Sequence, residues 1–377
     1  MAKNASELFN DNKNGLNKNT IAVAMAAVDK EYEAYLPSLE EKATPSKWVQ
    51  WGEANGLGEY LYGLFTTTTS LRTIVEGTAN FVSGEDVLCS IGDLGVRANK
   101  KDETLYDIVG DLARDYLLYG NAYLQVIKTK DGQGIAELYH LNARYCRMDE
   151  KSNIIYYNKD FGKKYARMGK TIAYPRFMAD SNEATSVMVL KTETDKTYGL
   201  PIYIASLTYC EVERQLASFN LSEVTNSFAG SYVFNFNQGI PSDEVKKEME
   251  DEITSKMCGL AANGGRILLN FSNGKDNAMT IEKMETENQS EKYLVTAEAA
   301  RTMIYTAFGA TPNIFGLPTE TTGFSEQEFS ECYNIYNLLR IKPLQKKITG
   351  MFDKVLGIKD SITIVPFKLN NDETTEE

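Results

Sequence analysis

A chain of 377 residues with 42% hydrophobic and 24% charged residues has the composition of a globular protein and is long enough for two or three domains. Its net charge of −12 argues against tight, sequence-independent binding of DNA or RNA, which needs many lysines and arginines to displace counterions from phosphates. Residues 1–18 are polar, and the apolar run at 21–28 is too short to span a bilayer, so we expect a protein that is neither secreted nor membrane-inserted.

The first half of the chain predicts an α+β region behind a polar arm. Residues 1–50 form the arm, which we expect to be partly disordered. Apolar residues at helical spacing predict one helix at 71–83 and another at 105–119 that ends at Gly120. A β-hairpin is predicted from 121–128 and 135–141. Further short strands are expected at 87–91, 153–158, 165–167 and 186–190.

A small α/β module lies between two long helical patterns. The first pattern runs from 204 to 224, and the second carries apolar residues at 293, 297, 300, 304 and 308 before it ends at Gly309. Between them the sequence predicts strands at 232–235, 267–271 and 279–284 and a helix at 242–257.

A loop from 309 to 325 separates the second long helix from the last one. It contains two prolines and several glycines, which interrupt helical structure. The last helix carries two apolar stripes whose phase changes across Pro343, and Pro343 is therefore predicted to kink it. A final strand is expected at 361–367, followed by a disordered acidic tail.

The loop and its flanks are acidic. No lysine or arginine lies between Arg301 and Arg340. The same interval contains four glutamates, Glu320, Glu326, Glu328 and Glu331. An ordinary surface helical hairpin would also account for this pattern.

Patterns typical of catalysis are weak in this sequence. His140 is the only histidine, it lies in a predicted strand, and a structural role is the commoner one for such a residue. Residues 259–266 have the outer glycine spacing of a phosphate-binding loop but lack its Lys and Ser/Thr. The carboxylates of 248–252 lie in a charged helical run, and the five cysteines are far apart without a C-x-x-C pair. We therefore expect no enzyme activity, no cofactor and no metal site.

Five stretches of the sequence, in order, resemble the portal proteins of tailed bacteriophages, specifically the branch with short chains. The resemblance covers roughly residues 55–368. The third stretch departs from the family pattern by lacking a serine before its proline. The stretches are 117–126 (LLYGNAYLQV), 138–143 (LYHLNA), 198–202 (YGLPI), 308–316 (FGATPNIFG) and 324–329 (FSEQEF) followed by 341–344 (IKPL).

The resemblance implies a multi-domain α+β portal fold. Its parts are a strand-rich wing, two long stem helices, a small α/β clip, a tunnel loop and a long kinked helix. Mapped onto this sequence, they are an arm (1–50), the first part of the wing (51–200), a stem helix (203–228), the clip (229–287), a second stem helix (288–308), the tunnel loop (309–325), the kinked helix and final strand of the wing (326–368) and a tail (369–377).

The implied function is a channel at the unique capsid vertex through which double-stranded DNA is packaged and ejected, and which joins head to tail. The implied partners are further copies in a ring, usually twelve, the major capsid protein, the terminase large subunit, a head–tail adaptor protein and weakly bound, passing DNA. The location would be the virion, with assembly in the host cytoplasm. Alternatives are a phage head or neck protein that does not form the channel, and an enzyme with His140 as its base.

The tunnel loop is the predicted functional site, because a conduit for moving DNA should not bind phosphates tightly. We expect six of its residues to lie nearest the DNA: Asn313, Phe315, Thr319, Glu320, Thr321 and Thr322.

Overall fold

The fold is described by a computed structural model that covers residues 39, 41–43, 47–162, 170–193, 195–227, 232–236, 241–242, 244–249, 267–271, 289–317 and 326–367. Helices and strands are mixed, as an α+β chain requires. The chain divides into a large unit, residues 34–214 and 294–377, and a small unit, residues 1–33 and 215–293.

The large unit contains most of the regular structure. Its helices are α1 (Leu57–Thr67), α2 (Thr69–Ser83), α3 (Gly92–Val96), α4 (Leu105–Tyr119), the start of α5 (Leu207–Ser227), most of α6 (Gln289–Phe308), α7 (Glu326–Tyr336) and α8 (Lys342–Leu356). Its strands are β1 (Glu41–Ala43), β2 (Val49–Trp51), β3 (Asp86–Cys89), β4 (Asn121–Lys128), β5 (Ile135–Leu141), β6 (Cys146–Met148), β7 (Ile154–Tyr157), β8 (Ile172–Pro175), β9 (Thr185–Lys191) and β12 (Ile362–Val365).

Local sequence explains why α4 leads directly into β4. The Thr104 hydroxyl accepts the Asp107 N–H, and the Asp107 carboxylate accepts the Thr104 N–H, so a capping box begins the helix. Gly120 ends it in the left-handed conformation, at a φ of 72°. Strand β4 then pairs antiparallel with β5 on one side and β9 on the other. The predicted hairpin is confirmed, and β9 completes a three-stranded sheet.

Smaller sheets complete the large unit. Strands β6, β7 and β8 form a second antiparallel sheet in that order. Strand β12, the last strand of the chain, pairs antiparallel with β3. Helices α2, α4 and α8 contribute fully buried apolar residues to one continuous core. Examples are Leu71, Ile74, Val109, Leu112, Ile348 and Phe352.

The sequence-based boundaries differ from the structure at several places. Residues 41–50, assigned to the arm, contain β1 and most of β2, and the Glu41 carboxylate accepts hydrogen bonds from the Thr197 and Tyr198 N–H groups. Helix α1 and the short strands β6 and β8 were not predicted. The strand expected at 165–167 and the arm before residue 39 lie outside the described residues.

A buried arginine, Arg147, forms hydrogen bonds with the segment that follows β2. The Arg147 guanidinium donates to the Asn55 side chain, and also to the main-chain carbonyls of Asn55, Arg144 and Cys146 at 2.7–3.0 Å. The Trp51 ring also lies close to it, at 5.1 Å. Burial lowers the pKa of Arg147. Carbonyl dipoles and aromatic faces therefore stabilise this cation, which forms no ion pair among the described residues.

In the small unit, β10 (Tyr232–Phe236) and β11 (Ile267–Phe271) pair in parallel. A parallel pair needs a long crossover, and residues 244–249 within it are helical. The Phe236 and Phe271 rings stack with centroids 5.0 Å apart. The strand expected at 279–284 lies outside the described residues. That residues 229–287 are a separately folded clip remains a proposal.

Candidate functional site

The 309–325 loop begins where α6 ends. The first residue of the loop, Gly309, adopts a φ of 64°, and the Ala310 N–H donates to the Tyr305 carbonyl at 3.0 Å. The predicted end of the helix at Gly309 is confirmed. A methyl group at this position would lie 3.2 Å from the Arg340 guanidinium, so the end of α6 lies against the last helical segment.

The base of the loop is a short 3-10 helix, Pro312–Phe315. Proline at its first position costs no hydrogen bond, since the N–H there has no helical partner. Gly316 then adopts a φ of 80°, and the Leu317 N–H donates to the Pro312 carbonyl at 3.2 Å. Residues 318–325 lie outside the described residues.

Phe315 anchors this base in an aromatic cluster. Its ring centroid lies 5.9–6.1 Å from those of Phe81, Tyr305 and Tyr336. On one side the ring contacts α2 at Gly77, where a methyl group would lie 2.6 Å from the Phe315 Cε1. The ring therefore fits a position of α2 that has no side chain.

Asn313 forms a second link, from the loop base to α7. Its Nδ2 donates to the Glu328 Oε1 at 2.8 Å, and the residue is only 8% exposed. Among the described residues the Asn313 Oδ1 has no hydrogen-bond partner. The loop is thus attached at its base to both the preceding and the following helix.

These contacts describe two of the six residues that were expected nearest the DNA. Asn313 is buried, and the partly buried Phe315 ring packs against the core of the large unit. That these two residues lie nearest the DNA stays a prediction. A Pro/Gly pattern predicts that a segment is a loop, whereas it does not indicate which of its residues fold back onto the core. The other four residues, Thr319, Glu320, Thr321 and Thr322, lie outside the described residues.

The last helix changes its hydrogen-bond pattern just before Pro343. Residues Asn337–Ile341 form a π turn, in which the Lys342 N–H bonds to the Asn337 carbonyl. Such a turn contains one extra residue. As a result the buried position after Tyr336 is Ile341, and Leu339, which the sequence placed on the buried stripe, is 62% exposed. The phase of the buried residues changes within Asn337–Ile341, just before Pro343, and the kink at Pro343 stays a prediction.

His140 has structural contacts. Its Nε2 lies 2.7 Å from the Asp115 Oδ2, and its Nδ1 lies 3.5 Å from the Asp111 Oδ2. Burial lowers the pKa of His140, but the two carboxylates and the hydrogen bond to Asp115 outweigh burial and raise it. The Ala143 N–H also donates to the Asp115 Oδ2, at 2.7 Å. This network joins α4 to the end of β5.

Other patterns noted in the sequence give no further site in the part of the chain that the structure describes. That part contains no group of three or more His, Cys, Asp or Glu side chains that could hold a metal ion. None of the helices in these ranges is long and apolar enough to cross a membrane. Of the acidic run, Glu248 is exposed on a helical turn, whereas Glu250, Asp251 and Glu252 lie outside the described residues, as does the phosphate-loop-like segment 259–266.

Comparison with solved structures identifies the fold. A chain in the virion of a native gene transfer agent particle is 19% identical, with a TM-score of 0.54 over 82% of this chain and 83% of that one. A chain in the neck of the native particle, computed with C12 symmetry, is 18% identical, with a TM-score of 0.52 over 83% and 84% of the two chains. At these identities the similarity establishes a shared fold.

Comparison of sequences identifies the family. No curated protein matches the chain significantly. The family model of the phage portal protein matches residues 94–374, which is well over half of the 377 residues. The matched range contains the α4–β4 junction, the loop base and the π turn described above. The chain therefore belongs to the phage portal protein family.

Proposed function

We propose that copies of this chain form a ring-shaped channel at the unique capsid vertex, through which double-stranded DNA is packaged and ejected. The observation that carries the proposal is the family match over residues 94–374. A ring of twelve copies is supported by the fold shared with a neck chain computed with C12 symmetry. The shared fold with a virion chain supports a place in the virion. Assembly in the host cytoplasm is part of the same proposal.

The loop between α6 and α7 is the part that we propose lines the channel. Its base is anchored through Phe315 and Asn313, so the following residues start from a fixed point on the large unit. No lysine or arginine lies between Arg301 and Arg340. Passing DNA would therefore meet few cations, and its phosphates would be bound weakly and without sequence specificity. The residues proposed to lie nearest the DNA are Asn313 and Phe315 in the anchored base and, after it, Thr319, Glu320, Thr321 and Thr322.

The remaining segments take portal roles in the same proposal. The α-β module of 229–287 would be the clip, which contacts the terminase large subunit during packaging and later the head–tail adaptor. The wing, from 51–200 and 326–368, would contact the major capsid protein. Deleting residues 231–284 and replacing them with a short linker should abolish binding of the terminase while the large unit stays folded, as judged by its circular dichroism. Unchanged terminase binding would contradict the clip assignment.

Electron microscopy of the purified full-length chain tests the ring. We expect class averages along the ring axis to show a closed ring with a central opening wide enough for a DNA duplex. Single chains, or an assembly without an opening, would favour a head or neck protein outside the channel. Nuclease and ATPase assays on the same sample test the enzyme alternative, and activity lost in a His140→Gln variant would support it.

A further inference from the structure

One exposed face of α6 carries three apolar side chains, with Thr302 and Thr306 beside them. Val295, Ala299 and Met303 are spaced by four residues and so form one line along the helix. Val295 is 61% and Met303 44% exposed, whereas Ala300, Ile304 and Phe308 on the opposite face are buried in the large unit. We call Val295, Ala299 and Met303 surface A. The large unit leaves it uncovered.

A second exposed apolar surface lies on the last helix. Ile335, Leu338 and Leu339 are 60–64% exposed, and we call them surface B. The π turn produces this surface, because its extra residue turns Leu338 and Leu339 outward while Tyr336 and Ile341 remain buried. Three large aliphatic side chains on adjacent turns are typical of a protein contact.

One charge beside surface A is opposite to one beside surface B, although the exposed Glu331, four residues before Ile335, also borders surface B. Glu298 is exposed and lies three residues after Val295 on α6. Lys342 is exposed and lies four residues after Leu338 and three residues after Leu339. Neither side chain forms an ion pair within the described part of the chain. An A surface and a B surface brought together could therefore pair Glu298 with Lys342 at their rim.

A closed ring needs two different surfaces on each copy, because every contact joins one face of a subunit to another face of the next. We infer that surface A of one copy packs against surface B of the neighbouring copy, with Glu298 opposite Lys342. The inference rests on the proposed ring. Helices α6 and α7 flank the 309–325 loop, so a contact through them would hold successive loops around one axis.

Two variants that each disable one surface test this arrangement. Met303→Asp disables surface A, and Leu338→Asp disables surface B. Each variant alone should stay monomeric at 42.2 kDa in mass photometry, at concentrations about tenfold above those at which the wild type forms rings. An equal mixture of the two variants should form dimers, because the intact surface A of Leu338→Asp can pack against the intact surface B of Met303→Asp. The dimers should not grow further, because the two surfaces left free are the disabled ones.

A control and a rescue complete the test. Val96→Asp adds the same charge at a side chain that is 82% exposed and belongs to neither surface, so it should assemble like the wild type. Glu298→Lys and Lys342→Glu should each weaken assembly, and the double variant should restore it. Circular dichroism and thermal midpoints should show that all variants fold.

The outcomes separate this inference from the function on which it rests. Rings formed by Met303→Asp or Leu338→Asp alone would overturn the A–B contact and leave the proposed channel intact. Loss of rings in Val96→Asp, absence of dimers in the mixture, or no rescue by the charge exchange would also overturn it. A wild-type chain that stays monomeric would overturn the proposed ring and the contact together.

Discussion

Phe315 fixes the base of the loop through its fit against Gly77 of α2. An alanine at position 77 favours helix by about 1 kcal/mol over glycine, but its methyl group would lie 2.6 Å from the Phe315 ring. Displacing a packed ring costs about 1–3 kcal/mol. We therefore expect Gly77→Ala to lower the free energy of unfolding, measured by urea denaturation.

Gly63 provides the matched control for Gly77. It lies in α1, and a methyl group there would meet no atom within 4 Å, so Gly63→Ala should stabilise the protein. In a Phe315→Ala background, Gly77→Ala should become stabilising too, because the clash is gone. A Gly77→Ala protein stabilised as much as Gly63→Ala would show that Phe315 does not depend on this contact.

The His140 network should make stability depend on pH. The pKa of His140 is raised in the folded protein by Asp115 and Asp111, against burial and the charge of Arg114. Its stabilising effect is therefore fully present below the unfolded pKa of about 6.5 and is lost as pH rises through the folded value. His140→Gln should cost about 1–3 kcal/mol at about pH 5.5 and less at about pH 8.5. Equal losses in urea denaturation at both pH values would contradict this.

At the scale of elements, packing on both sides of the π turn keeps it in place. Tyr336 donates or accepts a 2.7 Å hydrogen bond with Thr78 and is buried, while Leu344 and Ile348 are buried on the other side. A regular α-helix through Asn337–Ile341 would rotate one of these sets out of the core. The sequence attributed the irregularity to Pro343, which lacks an N–H and lies just after the turn.

A Pro343→Ala variant distinguishes packing from the proline as the cause of the π turn. Pro343→Ala supplies the missing donor, and we expect the π turn to persist, because burial of the two stripes is worth more than one regained hydrogen bond of about 1 kcal/mol. The thermal midpoint should rise or stay unchanged. A crystal or cryo-EM structure of the variant with a regular α-helix at 337–341 would show that the proline is the cause.

At the scale of the whole molecule, the charge of the loop should set how DNA passes. Glu320→Lys with Thr321→Lys adds two cations per subunit, and repetition around a ring multiplies the new phosphate contacts. We expect packaging to slow or stall in a packaging assay, most strongly at low salt, because such contacts are screened as salt rises.

A matched charge change elsewhere serves as the control. Asn182→Lys with Glu183→Lys makes the same change in charge at two exposed residues outside the loop, and should package normally. If the loop variant packages at the wild-type rate over a range of salt concentrations, the loop does not touch the passing DNA.

Local sequence alone determined several of the regular elements. The 105–119 helix, the 121–141 hairpin and the end of α6 at Gly309 all follow from apolar spacing, capping residues and glycine, which act over a few residues. The family could also be predicted, because its motifs lie at such junctions. The phase change across Pro343 was visible in the spacing of apolar residues.

Tertiary structure decided which side chains of these segments face the core. Asn313 and Phe315 look like other polar or apolar loop residues in the sequence, and only Gly77, Tyr336 and Glu328, which are distant in the chain, make them anchors. Likewise, Leu339 is exposed because the π turn resolves a conflict between two buried stripes. Periodicity records the spacing of apolar residues along one segment, whereas burial depends on the surfaces that distant segments bring to it.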